Sequence, residues 1–165
     1  MSDLPLSALD DLPLPIEPTD NFYAVRANKS YKVDASALQT FLTTEINIDD
    51  TAFLNANSTP IEIIPAQGIG TYINPTFAVL TNNADGTTAY SVLGTLEINH
   101  AGAPKEIFDF DVAIGAALAK YKENAIYKGQ RELIENAALE FSATVGNPTL
   151  GDHTFTLKVW YTIET

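Results

Sequence analysis

Apolar and polar residues alternate most regularly over "FSATVGNPTLGDHTFTLKVWY", residues 141 to 161. Phe141, Ala143 and Val145 fall on one side of an extended chain and Ser142 and Thr144 on the other, as a half-buried strand requires. Beyond a loop, Phe155, Leu157, Val159 and Tyr161 alternate with Thr154, Thr156, Lys158 and Trp160. The pattern predicts a long antiparallel hairpin with one wet face. With Leu139 added, its inward set is Leu139, Phe141, Val145, Phe155, Leu157, Val159 and Tyr161.

The same β-like texture begins at Ile46 and runs through "TAFLNANSTPIEIIPAQGIGTYINPTFAVL", a turn "NNADG", and "TTAYSVLGTLEINHAG". Asp85-Gly86 is a dipeptide that supplies the positive φ of a hairpin turn. Over residues 106–135, "EIFDFDV" alternates like a strand and "AIGAALAKYKEN" fits a short helix with Lys120 and Lys122 outside. Strands this short and closely spaced predict one mainly β domain, an antiparallel, jelly-roll-like β-sandwich over residues 46–165.

Upstream, Phe22 to Val25 and Tyr31 to Val33 read as short strands around an Arg-Ala-Asn-Lys-Ser turn. A small helix is expected from Asp34 or Ser36, either of which can cap exposed amides, with Leu38, Phe41 and Leu42 as its buried side. Such a unit is too small to be stable by itself and must pack on something. Residues 1–21 hold four of the nine prolines, with Leu4, Leu6, Leu9, Leu12, Leu14 and Ile16 between them. Proline removes amide donors and holds the chain near polyproline geometry, so an extended arm is expected. Its leucines suit a groove on a partner. The organisation read from the chain is therefore 1–45, an attachment segment of arm, hairpin and helix, and 46–165, the sandwich.

Charge narrows the partners. The net charge is −12, and no Lys or Arg occurs before Arg26 or from residue 33 to residue 104. Phosphate binding needs clustered cations, so nucleic acid is excluded as a partner. The chain has no cysteine, which removes disulfides and cysteine-based zinc sites. Neither a signal-peptide pattern nor an apolar stretch of membrane-spanning length is present, and a soluble product made in the cytoplasm is expected.

Candidate chemistry is sparse. His100 and His153 both adjoin glycine-rich turns, where solvated histidines are expected. Asp109 and Asp111 share one face of a strand and resemble an acid/base pair, but with Phe108 and Phe110 on the core side both are expected in water. "QGIGTY" lacks the third glycine and following helix of a dinucleotide site. "NNADG" lacks calcium-loop spacing and its distal glutamate. No catalytic residue, cofactor or metal is expected. Asn28-Lys-Ser30 and Asn57-Ser-Thr59 match glycosylation acceptors in form only. In the loop of residues 146–153, Gly146 and Gly151 relieve backbone strain, Pro148 interrupts pairing and Asp152 accepts from turn amides.

Two stretches carry a resemblance. "ENAALEFSATVGNPTLGDHTFTLKVWYTI", with "IEIIPAQGIGTYINPTFAVLTNNADGTTAY" upstream, resembles a β-sandwich domain of bacteriophage virion proteins in which a "GNPTxGD" loop joins the last two strands. "LPLPIEPTDNFYAVRANKSYKVDASALQTFL" looks like the attachment segment that opens many phage tail-fibre and head-fibre proteins. The resemblance implies a non-enzymatic virion structural protein, with Leu4, Leu6, Leu9, Leu12, Leu14, Ile16 and Tyr23 docking on capsid, collar or tail proteins. Fibre proteins place long shafts between such ends and this chain joins them almost directly, which favours a compact knob, spike or decoration protein. A homo-oligomer is expected, a trimer first, since phage appendages of this kind are symmetric about an axis. The alternative is a carbohydrate-binding or host-receptor-binding module. For it Tyr72, Tyr90 and Trp160, with Tyr121 and Tyr127, are the candidate sugar-stacking rings.

Overall fold

The computed structural model describes residues 21–26, 29–34, 41–92, 94–102, 106–128 and 133–165. The chain divides into two compact units, Met1–Thr40 and Phe41–Thr165. In the first, β1 (Asn21–Arg26) and β2 (Lys29–Asp34) pair antiparallel from Asn21 opposite Asp34 to Arg26 opposite Lys29. The expected hairpin is therefore present. The leucine-proline arm and Leu38 lie outside the described residues. The expected helix does not extend to its other two apolar members: Phe41 is exposed, and Leu42 opens a strand.

The second unit is an antiparallel β-sandwich. One sheet has the order β10 (Ile126–Tyr127), β8 (Glu106–Phe110), β7 (Leu96–His100), β11 (Leu139–Ala143), β4 (Ile61–Ile64). The other has the order β3 (Leu42–Ile48), β13 (Phe155–Glu164), β5 (Tyr72–Asn82), β9 (Tyr121–Asn124). A short ladder of β6 (Tyr90–Ser91) with β12 (Thr149–Leu150) ties two loops together. The chain changes sheets repeatedly, from β3 to β4, from β4 to β5 and again from β8 to β9.

The predicted hairpin is not formed. β11 pairs with β7 and β4, whereas β13 pairs with β3 and β5, so the two runs lie in opposite sheets. Alternation reports that one face of a strand is buried; it carries no information about which strand lies alongside. The inward parity itself holds for Leu139, Phe141, Phe155, Leu157 and Val159, all at 0% exposure, and Tyr161 packs against this core. Val145 departs from it: β11 ends at Ala143 and Val145 is exposed.

Phe53 sits at the centre of the core on α1 (Asp50–Leu54). Its ring stacks on Phe155 from one sheet at 4.3 Å, meets Tyr90 edge-on at 4.6 Å and lies 6.2 Å from Phe141 of the other sheet. The helix is held at its start by Asp49, whose side chain accepts from the Ala52 amide at 2.7 Å, a bond that satisfies an otherwise orphaned donor. The β-like texture that begins at Ile46 predicts strand over "TAFL"; the Asp49 cap is the sequence signal for the helix found there. Over residues 106–135, β8 is followed by a single turn, α2 (Ala113–Ala116), and Lys122 lies in β9.

Candidate functional site

The residues singled out by sequence occupy three separate places. The first is the loop of residues 146–153, which fastens one end of the sandwich. Asn147 Oδ1 accepts from the amides of Asn57 and Ser58 at 3.0 and 2.9 Å, and its Nδ2 donates to Ser58 Oγ. Asn57 in turn donates from Nδ2 to the Ala143 carbonyl. Asp152 Oδ1 accepts from the amides of Thr87 and Thr88, both at 2.7 Å, and Oδ2 from Thr87 Oγ1. In the reverse direction, Asp85 accepts from the Thr154 amide and hydroxyl. The two loops thus clamp each other with one aspartate apiece. Both carboxyl groups are held below the ordinary value, Asp85 chiefly by the Thr154 hydroxyl and Asp152 chiefly by the Thr88 amide.

Both histidines are buried rather than solvated. His153 is 0% exposed; its Nδ1 accepts from the Gly86 amide at 3.0 Å and its carbonyl accepts from the Tyr90 hydroxyl at 2.7 Å. His100, at 1% exposure, ends β7 on the core side, where burial pushes its ring below the ordinary histidine value. Their glycine neighbours predict solvated rings; the structure buries both. The polar groups of "NNADG" are engaged within the protein: Asn82 donates to the carbonyls of Ile114 and Ala117, Asn83 to the hydroxyls of Thr154 and Thr156, and Asp85 is clamped as above.

The second place is the outer face of the β3-β13-β5-β9 sheet. Trp160 lies beside Phe77, with ring centroids 5.2 Å apart, and Lys158 Nζ stands 5.3 Å from the indole centroid. Phe77 is 41% exposed, so this strip offers apolar and π surface together with a cation. Tyr72 opens the same strand as Phe77 but lies five residues away, roughly 17 Å at about 3.3 Å per residue. Tyr90 is excluded from any sugar-stacking role by its placement. It is 3% exposed, wedged against Phe53 and Phe155, and burial pushes its hydroxyl well above the ordinary tyrosine value. The three candidate rings therefore form no common platform. Tyr121 and Tyr127 are exposed on β9 and β10, the edges of opposite sheets. Tyr23 lies on β1 of the other unit, and Leu4, Leu6, Leu9, Leu12, Leu14 and Ile16 fall outside the described residues.

Of the third place, sequence reasoning singled out only Asp109. On the outer face of the β10-β8-β7-β11-β4 sheet, Ser142, Glu97 and Asp109 stand in a row across β11, β7 and β8. Glu106 is paired with Asn99 beyond a bulge in the same ladder. Glu97, Glu106 and Asp109 each place one carboxylate oxygen within 4.8 Å of the others. Contrary to the expectation from Phe108 and Phe110, Asp109 is not in water: it is 4% exposed and ion-paired with Lys128. β8 is covered on both faces, which alternation with a charged residue does not reveal.

No protein-family model matches the chain, and no curated protein matches it. Among solved structures it is similar to the capsid of Ralstonia phage GP4, at 16% identity and a TM-score of 0.47 over 77% of this chain and 85% of that one.

Proposed function

We propose that the chain is a non-enzymatic bacteriophage virion structural protein, of decoration, head-fibre, spike or tail-knob type, that docks by its amino-terminal segment and projects the sandwich. The observation that carries this reading is the use made of the "GNPTxGD" loop. The residues that give the loop its resemblance to virion β-sandwich domains, Asn147, Gly151 and Asp152, are those that fasten one end of the fold. The resemblance thus falls on fold-determining chemistry. His100 and His153 are built into the core.

The attachment role falls to the part of residues 1–45 that precedes β3 (Leu42–Ile48). A two-stranded hairpin such as β1-β2 is marginal alone, and the leucines and Ile16 of the arm gain stability only against another surface, at roughly 25 cal/mol per Å² removed from water. The partners are other virion proteins and further copies of the chain, a trimer first. The protein is made in the host cytoplasm and ends in the particle. Mass spectrometry of purified particles tests the assignment, and deletion of residues 1–18 tests the arm: the sandwich should fold while incorporation into particles is lost. Normal copy number of the truncated protein would refute the arm's role.

A second reading, host-glycan or receptor binding by the projecting sandwich, has the Trp160–Phe77–Lys158 strip in its favour. A glycan array probed with wild type and Trp160→Ala separates it from docking. Binding lost with Trp160 supports it, and an array without binding removes it.

A further inference from the structure

We propose that Glu97, Glu106 and Asp109 form a binding site for one hard divalent cation, calcium by preference, on the outer face of the β10-β8-β7-β11-β4 sheet. Three points no more than 4.8 Å apart all lie within about 2.8 Å of a common centre, close to the 2.3–2.6 Å of calcium–oxygen bonds, so small side-chain adjustments complete the contact. The donors are carboxylates throughout, which suits calcium or magnesium and disfavours softer metals.

Glu97 stands directly opposite Asp109 on the neighbouring strand, and like charges in that position destabilise a sheet. A sign of a missing partner comes from Asp109 itself. Its side chain is 4% exposed, and although one oxygen pairs with Lys128, Oδ1 is buried with no hydrogen-bond partner among the described residues. Asn99 adds a second such oxygen: its Nδ2 donates to Glu97 Oε1 while its Oδ1 is buried and unpartnered. Buried acceptors without partners are costly and rare. Among the described residues, the three carboxylates and Lys128 sum to about −2, the complement of one divalent ion.

The test is calorimetric titration of the chelator-treated full chain with calcium chloride, alongside thermal melting with and without the ion. One saturable site and a raised Tm are expected, with at least a tenfold weaker affinity in Glu106→Gln. Asp109→Asn should also lose binding, but it removes the partner of Lys128 and can unfold. The half-buried Glu106 therefore provides the decisive variant. No heat and no Tm shift at millimolar calcium would overturn the proposal. So would an equal shift in wild type and Glu106→Gln, or stabilisation by acidification to pH 5 with none by calcium, which would make the proton the relieving ligand.

Discussion

Gly151 takes φ +80°, and a Cβ there would overlap the Tyr90 ring. Gly102, at φ +75°, has open space at the same position. The pair separates two costs of a side chain: Gly102→Ala bears only the left-handed backbone, about 1 kcal/mol, whereas Gly151→Ala adds overpacking, about 1–3 kcal/mol more. Chemical denaturation of the two variants should show that order, and equal losses would mean that Tyr90 yields freely. Within β13, Leu157 is fully buried and Thr156 half-buried. Leu157→Ala should lose about 2–5 kcal/mol. Thr156→Ala, which gives up hydroxyl bonds to Asn47 and Asn83 near the surface, should stay within about 1 kcal/mol. At this scale, alternation made the inward set legible, because it reports which face is dry. The burial of His153 and Asp109 was not legible, since it depends on chain segments 63 residues or more away for the histidine and on β10 and the residue after it for the aspartate.

Elements differ in how many neighbours restrain them. β13 is paired along both edges, to β3 over seven positions and to β5 over ten. β10 pairs at two positions only, with β8. Hydrogen exchange should therefore be slowest in Phe155–Tyr161 and fastest among paired strands in the two-position ladders, β10 with β8 and β6 with β12, as local openings cost least where few bonds break. Uniform protection would contradict this arrangement of the sheets. The strands themselves were legible from their alternation, but their partners were not. A sandwich strand shows the same pattern whether its sequence neighbour lies beside it or across the core, and the polar loop between β11 and β13 gave no sign of a crossing.

For the molecule as a whole, the reciprocal clamps of Asp85 and Asp152 couple loop closure to pH. Each carboxyl titrates lower folded than unfolded, so its contribution is fully present above about pH 4 and is lost as pH falls through the folded values. His100, lowered by burial, contributes in the same direction: stability begins to fall below about pH 6.5 as the unfolded ring takes a proton. Melting temperature measured from pH 7 to pH 3 should decline, and Asp152→Asn should flatten the acid part of the curve. An unchanged acid limb in that variant would show that the clamp bears no weight in solution.

The pairing of β13 with β3 also governs how the fold is reached. Thr156 and Asn47, joined by a side-chain hydrogen bond across that ladder, are 109 residues apart, and until residue 164 has left the ribosome β3 and β5 have no strand to lie between them. Closing so long a loop precedes any reward from the contacts it makes, so folding belongs in the slow, millisecond-to-second range of non-local β topologies. During synthesis the nascent sandwich therefore presents two unsatisfied strand edges and an open apolar layer, so the risk of aggregation is greatest before β13 arrives.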